Sequence, residues 1–273
     1  MKKYELTTDT KMFLGKKLFR IKALISFGDV TEGDLGGYIE KEENLSQGGN
    51  AWVHGNARVY GDALVYGDAL VHGNAQVYGD ALVYGNARVY GDALVYGNAL
   101  VHGNAQVYGD ARVCGNARVC GNARVYGDAL VYGNALVHGN AQVYGDVQVY
   151  GNAQVYGDAW VHGNARVYGD ALVYGNALVY GNAQVYGDAL VYGNARVRCD
   201  NDYAYIHGFG SCNRTTTFYH TADGDIGVKC GCFSGTLDGF RAKVKETHGD
   251  SQYAKEYLLI ADLMEMRFKA RER

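Results

Sequence analysis

Proline is absent from all 273 residues, tryptophan occurs twice and methionine four times. Without proline the chain has no rigid polyproline linker, and its turns must be made by other residues. Long apolar runs are also missing. No stretch approaches the roughly 18 residues that a membrane helix needs, so no membrane partner is expected. The opening MKKYELTTDTKMFLG has no continuous apolar segment of the secretory kind, which points to a soluble, cytoplasmic protein. Acidic and basic residues nearly cancel at a net charge of -3, leaving no basic excess for a phosphate backbone, and no nucleic-acid partner is expected. Six irregularly spaced cysteines do not make a secreted disulfide framework, and a reducing compartment suits them. Neither GxxxxGK[ST] nor HExxH is present.

Glycine and tyrosine, at 39 and 24 residues, are in large excess, a bias typical of repeats. From Asn50 to Cys199 the chain repeats as [Asn/Asp]-Ala-x-Val-[Tyr/His]-Gly, with 25 valines at every sixth position from Val53 to Val197 without a slip. Alanine is as regular from Ala51 to Ala195, Val147 being its one replacement. Strand alternation puts Ala and Val on one face and the variable residue and Tyr/His on the other. Gly followed by Asn or Asp supplies residues that tolerate left-handed backbone, so a corner is expected every six residues.

This repeat resembles the hexapeptide family of β-helices, in which an aliphatic residue and a small residue four positions later point inward, as Val53 with Ala57 and Val59 with Ala63 do here. The resemblance implies an all-β solenoid, a left-handed parallel β-helix of about eight triangular coils. The block GDLGGYIEKEENLS, residues 33 to 46, resembles the lead-in segment of uncharacterised hexapeptide-repeat proteins of bacteria and their prophages that carry transferase labels. Three segments are expected: residues 1–49 as an N-terminal cap with irregular first coils, 50–199 as the β-helix, and 200–273 as a small α+β domain. Caps are needed at both ends because a bare terminal coil presents unpaired strand edges. Within the first, Lys17 to Phe27 reads as a strand and residues 33 to 37 as a turn.

With three hexapeptides per coil, residues 18 apart stack, and the outer positions become columns. One holds Leu64, Leu82, Leu100, Arg118, Leu136, Gln154, Leu172 and Leu190, flanked by Tyr66, Tyr84, Tyr156, Tyr174 and Tyr192. Such an apolar strip marks an interface, and hexapeptide proteins commonly trimerise; a homo-oligomer, trimer or dimer, or another protein partner is expected. A second column aligns His102, Cys120 and His138, residue types that suit zinc. Their spacing is similar to part of the metal site of γ-class carbonic anhydrases, but that family's further histidine falls on Val143. A third column, Asp92, Asp110, Asp128 and Asp146, offers oxygen ligands to a hard cation or splays into water.

After Cys199 the period stops. Tyr203 to Ile206, Arg214 to His220 and Ile226 to Cys230 read as strands, and two helices follow, one with Leu237, Phe240 and Val244 on a face and Gly249 as stop. The second is capped by Ser251 and carries a stripe of Tyr253, Tyr257, Ile260, Ala261, Met264 and Phe268. The stripe either packs on the solenoid end, forms a small α+β domain or pairs subunits. Cys199, Cys212, His220, Cys230 and Cys232 gather in this segment as metal ligands or as buried free thiols. Arg214 and Thr216 are placed to hold an anion.

Three functions follow from these features. The first is a non-catalytic scaffold, a prophage accessory factor for instance, showing Tyr, Leu and Arg columns to a partner or to its own subunits, with no cofactor. Enzymes on this fold usually interrupt the coils with a loop that walls off a cofactor, and residues 50–199 have none. The second is acyl transfer from acetyl-coenzyme A with His102 or His138 as base, as the family resemblance implies. The third is small-ligand binding in the C-terminal domain through Arg214, Thr216 and nearby aromatics.

Overall fold

A computed structural model describes residues 1–269 of the chain. Three parallel sheets run the length of the solenoid, and each hexapeptide contributes a short strand to one of them in turn. Pairing joins residues 18 apart, as in Leu64 with Leu82 and Arg88 with Gln106. The result is about nine turns, one more than expected. The additional turn begins with Leu35–Ile39, which pairs in parallel with Arg58–Val59, and continues through Leu45, which bridges to Val65.

The repeat dictates this shape position by position. Every valine from Val53 to Val197 is fully buried, as is the alanine column with Val147 in its place, so the interior is a stack of small aliphatic groups. Corners are made by glycine alone: Gly85, for example, has φ +69°, and a Cβ there would lie 3.0 Å from the amide nitrogen of Gly103 in the next turn. The neighbouring Asn and Asp do not share the left-handed conformation expected of them, since Leu14 and Asn213 are the non-glycine residues with positive φ. Their amides form ladders along the corners instead. Asn86, Asn104, Asn122 and Asn140 each donate from Nδ2 to the Oδ1 above, at 2.9 to 3.1 Å.

The N-terminal cap is an antiparallel pair, β1 (Tyr4–Phe13) and β2 (Lys16–Ala23), continued by β3 (Leu35–Ile39). The strand expected over Lys17 to Phe27 is β2, four residues shorter at its end, and β1 was not anticipated. Residues 33 to 37 are not simply a turn, because β3 occupies Leu35 onward. Gly36 serves close approach: a Cβ on it would sit 2.5 Å from Ile21 Cγ1 and 2.6 Å from the Val53 carbonyl. Lys3, 2% exposed, donates from Nζ to the carbonyl of Ala51 at 2.8 Å and that of Gly49 at 3.3 Å, partnering oxygens of the first turn.

The other end is covered by a four-stranded antiparallel sheet of Tyr203–Phe209, Arg214–His220, Ile226–Cys230 and Phe233–Thr236. Its two faces have different tasks. Tyr203 and Tyr219 point into the solenoid core, while Phe218 and Val228 join a separate core with the helices α1 (Leu237–His248) and α2 (Gln252–Lys269). The α2 stripe therefore completes a small α+β domain, with Tyr253 as its exposed exception. The last coil is tied to this sheet by Leu190 N–H donating to Thr217 Oγ1 at 2.9 Å and by the Tyr203 hydroxyl donating to the Gln184 carbonyl at 2.7 Å.

Candidate functional site

The solenoid's outer positions fall into rows by register. The sequence-derived leucine column is one such row: Leu64, Leu82 and Leu100 pair in succession, Arg118 intervenes, Leu136 and Gln154 follow, and Leu172 pairs with Leu190. The leucines are half-buried.

Aromatic rings in the tyrosine positions stack face to face. Tyr60, Tyr78 and Tyr96 form one stack, and the seven rings from His72 through Tyr90 and Tyr144 to Tyr180 form another. Over most of their length the centroids are 4.7 to 4.9 Å apart and the planes within 10° of parallel. Beside the leucine row, Tyr66, Tyr84 and His102 make one run and His138, Tyr156 and Tyr174 a second, with Cys120 between them.

The row beside the leucines also contains His102, Cys120 and His138, the residues that the sequence aligns as zinc ligands. They share a row, yet among the described residues no three His, Cys, Asp or Glu side chains converge as a metal-ligand set. Cys120 separates the two histidines in the row, so His102 and His138 are two strand spacings apart, and each imidazole stacks on a tyrosine on its far side. Burial holds the imidazoles of His102 and His138 below the ordinary histidine pKa, with Arg118 adding to the effect at His102. The Nε2 atom of His102 is buried without a hydrogen-bond partner. Among the described residues neither histidine has a carboxylate within 4.0 Å, the distance at which His207 meets Asp188. Val143 is an inward, fully buried core residue. Asp92, Asp110, Asp128 and Asp146 stand exposed at one corner, where Asn74 Nδ2 donates to Asp92 at 3.1 Å.

In the C-terminal domain the structure divides the five-residue Cys/His cluster. Cys212, Cys230 and Cys232 line one cavity of about 210 Å³. Cys199 lies at the solenoid's end, its amide donating to Asp202, and His220 packs edge-on against Phe268 at 4.8 Å. Among the described residues no three of these five come together as a ligand set. All six cysteines are free.

The cavity has an apolar floor of Phe233, Phe240, Val244 and Tyr257, and Arg214, Lys243 and His248 stand around it. Arg214, one of the two anion-holding candidates from the sequence, lines this cavity. Thr216, the other, is not among the lining residues: it is 2% exposed and donates from Oγ1 to Cys230 Sγ at 3.1 Å. Lys243, His248 and Tyr257 were missed as site residues because nothing in their spacing marks them; only the packing of α1 and α2 on the sheet brings them to the thiols. Two glycines shape the walls. A Cβ on Gly231 would meet Arg214 Nη1 at 2.0 Å, and one on Gly210 would meet the Tyr257 ring at 1.9 Å. Ser211 and Arg214 hold the Cys212 thiol below the usual cysteine range, and burial pushes the Tyr257 phenol up.

Parallel sheets, an aliphatic interior and stacked outer rows define a β-solenoid repeat protein, closed at one end by a hairpin and at the other by an α+β domain. The chain belongs to the YdcK β-solenoid repeat family, whose repeat model matches eleven successive, partly overlapping segments between residues 57 and 198, together just over half of its length. A comparison with curated proteins gives no match.

Proposed function

We propose that the protein is a non-catalytic scaffold that assembles with copies of itself through the leucine row of the solenoid. The observation that carries this reading is the register that places Leu64, Leu82, Leu100, Leu136, Leu172 and Leu190 on one sheet beside two tyrosine runs. A row of this length offers a self-complementary apolar surface. Acyl transfer is less well supported, since His102 and His138, its bases, are ring-stacked and lack an orienting carboxylate.

Sedimentation velocity across a concentration series tests the proposal. The wild type should sediment as a dimer or trimer of the 29.7 kDa chain, and Leu82→Arg with Leu172→Arg should sediment as a monomer of unchanged far-ultraviolet dichroism. A wild type that stays monomeric at every concentration would overturn it. Saturable acetyl-coenzyme A binding lost in His138→Ala would restore the acyltransferase.

A further inference from the structure

We propose that the C-terminal cavity binds a small organic anion, an oxyanion head on one apolar ring or short chain. The proposal does not rest on self-assembly of the solenoid. Charge supports it first. The chain as a whole carries a net charge of -3, yet the lining has three basic side chains, Arg214, Lys243 and His248, and no acidic one; Lys243 is paired at 2.9 Å with Glu246 outside the lining, so Arg214 is the principal cation. Arg214 takes part in none of the ion pairs among the described residues; its one charge partner at the cavity is the Cys212 thiol, which leaves its guanidinium without a carboxylate to neutralise it.

Shape supports it second. Below the cations the floor is aromatic and aliphatic, supplied by Phe233, Phe240, Val244 and Tyr257. Few polar groups above an apolar floor is the usual composition of a small-molecule site. The volume, about 210 Å³, holds on the order of ten non-hydrogen atoms at interior packing density. That admits a monocyclic anion.

Backbone geometry supports it third. Gly231, at φ +54°, lets the Arg214 side chain lie directly against the turn between Cys230 and Cys232, where any Cβ would collide with the guanidinium. Gly210 does the same for the Tyr257 ring. Cation and aromatic wall are thus both set in place by missing side chains. The thiols of Cys212 and Cys232, exposed at the rim, serve as reporters of occupancy.

The test is the rate of carbamidomethylation by iodoacetamide, read cysteine by cysteine by mass spectrometry on the full chain, with phenyl phosphate and phenylacetate as probes. At ten times its dissociation constant a probe should slow Cys232 and Cys212 roughly tenfold, while Cys114 and Cys120 on the solenoid keep their rates. Removing Arg214 changes Cys212 chemistry directly, so the variants are read on Cys232 as the ratio of rates with and without probe. Arg214→Gln and Lys243→Gln, both at exposed positions, should each abolish or sharply reduce the protection. Gly231→Ala, which keeps the charge and displaces it, should do likewise. The proposal is overturned if neither probe protects, if uncharged benzyl alcohol protects as well as phenyl phosphate, if inorganic phosphate alone does so, or if Arg214→Gln retains full protection.

Discussion

A corner glycine in this solenoid answers two demands at once. Gly85 sits at φ +69°, which an L-residue adopts at a cost, and its α-carbon faces Gly103 so closely that a Cβ would lie 3.0 Å from one backbone atom and 3.1 Å from another. The neighbour is backbone held in its own ladder, so it cannot swing aside as a side chain would. Gly85→Ala should therefore lose about 1–3 kcal/mol of unfolding free energy, measured by denaturant titration, where a midpoint equal to wild type would show that the corner relaxes. Gly36 and Gly231 are different: one makes room for Val53 and Ile21 in the first turn, the other for Arg214 beside the cavity. Composition shows all these glycines alike, and only coordinates separate their reasons.

At the scale of strands and rows, most of the solenoid was legible in the sequence because one constraint repeats. Ala and Val must point inward at every turn, so the period, the buried columns and the leucine row could be read off positions 18 apart. The cap strand β1 was not legible, since Tyr4 to Phe13 has no period and its partner is a neighbouring hairpin strand. The C-terminal cavity was half legible. Arg214 and three thiols cluster within a short span, whereas Lys243, His248 and Tyr257 reach it only through the docking of two helices. Row logic makes its own prediction at Cys120, the gap between His102 stacked on Tyr84 and His138 stacked on Tyr156. A ring there would meet two parallel neighbours at the spacing the other stacks use. Cys120→Tyr should raise stability by about 0.5–1.5 kcal/mol, seen as a higher melting temperature. A lower one would mean that the gap accommodates something the stack cannot.

For the whole molecule, charge and burial combine into a pH profile whose sign can be worked out group by group. Burial holds His54, His72, His102, His138 and His162 below the ordinary histidine value, so the unfolded chain binds more protons near pH 6 and stability falls as the solution is acidified through 6.5. Lys3 works in the same direction at higher pH. Desolvation lowers it to about 8 from 10.5, against the pull of Asp68, so between those values the folded protein holds fewer protons and stability rises with pH. The tyrosines oppose this. Burial raises Tyr60, Tyr174 and Tyr219 to about 12, so above pH 10 the unfolded chain releases protons that the folded one keeps, and stability is lost as pH climbs toward 12. Thermal melting followed by circular dichroism should accordingly give a curve that rises from pH 5, peaks on the alkaline side between about 8 and 10, and then drops. In Lys3→Met the rise from pH 8 toward 10 should shrink while the loss above 10 remains, because the tyrosine stacks lie along the solenoid and Lys3 lies only at its first turn. A profile with its maximum near neutrality and no alkaline shoulder would contradict the buried lysine as its source.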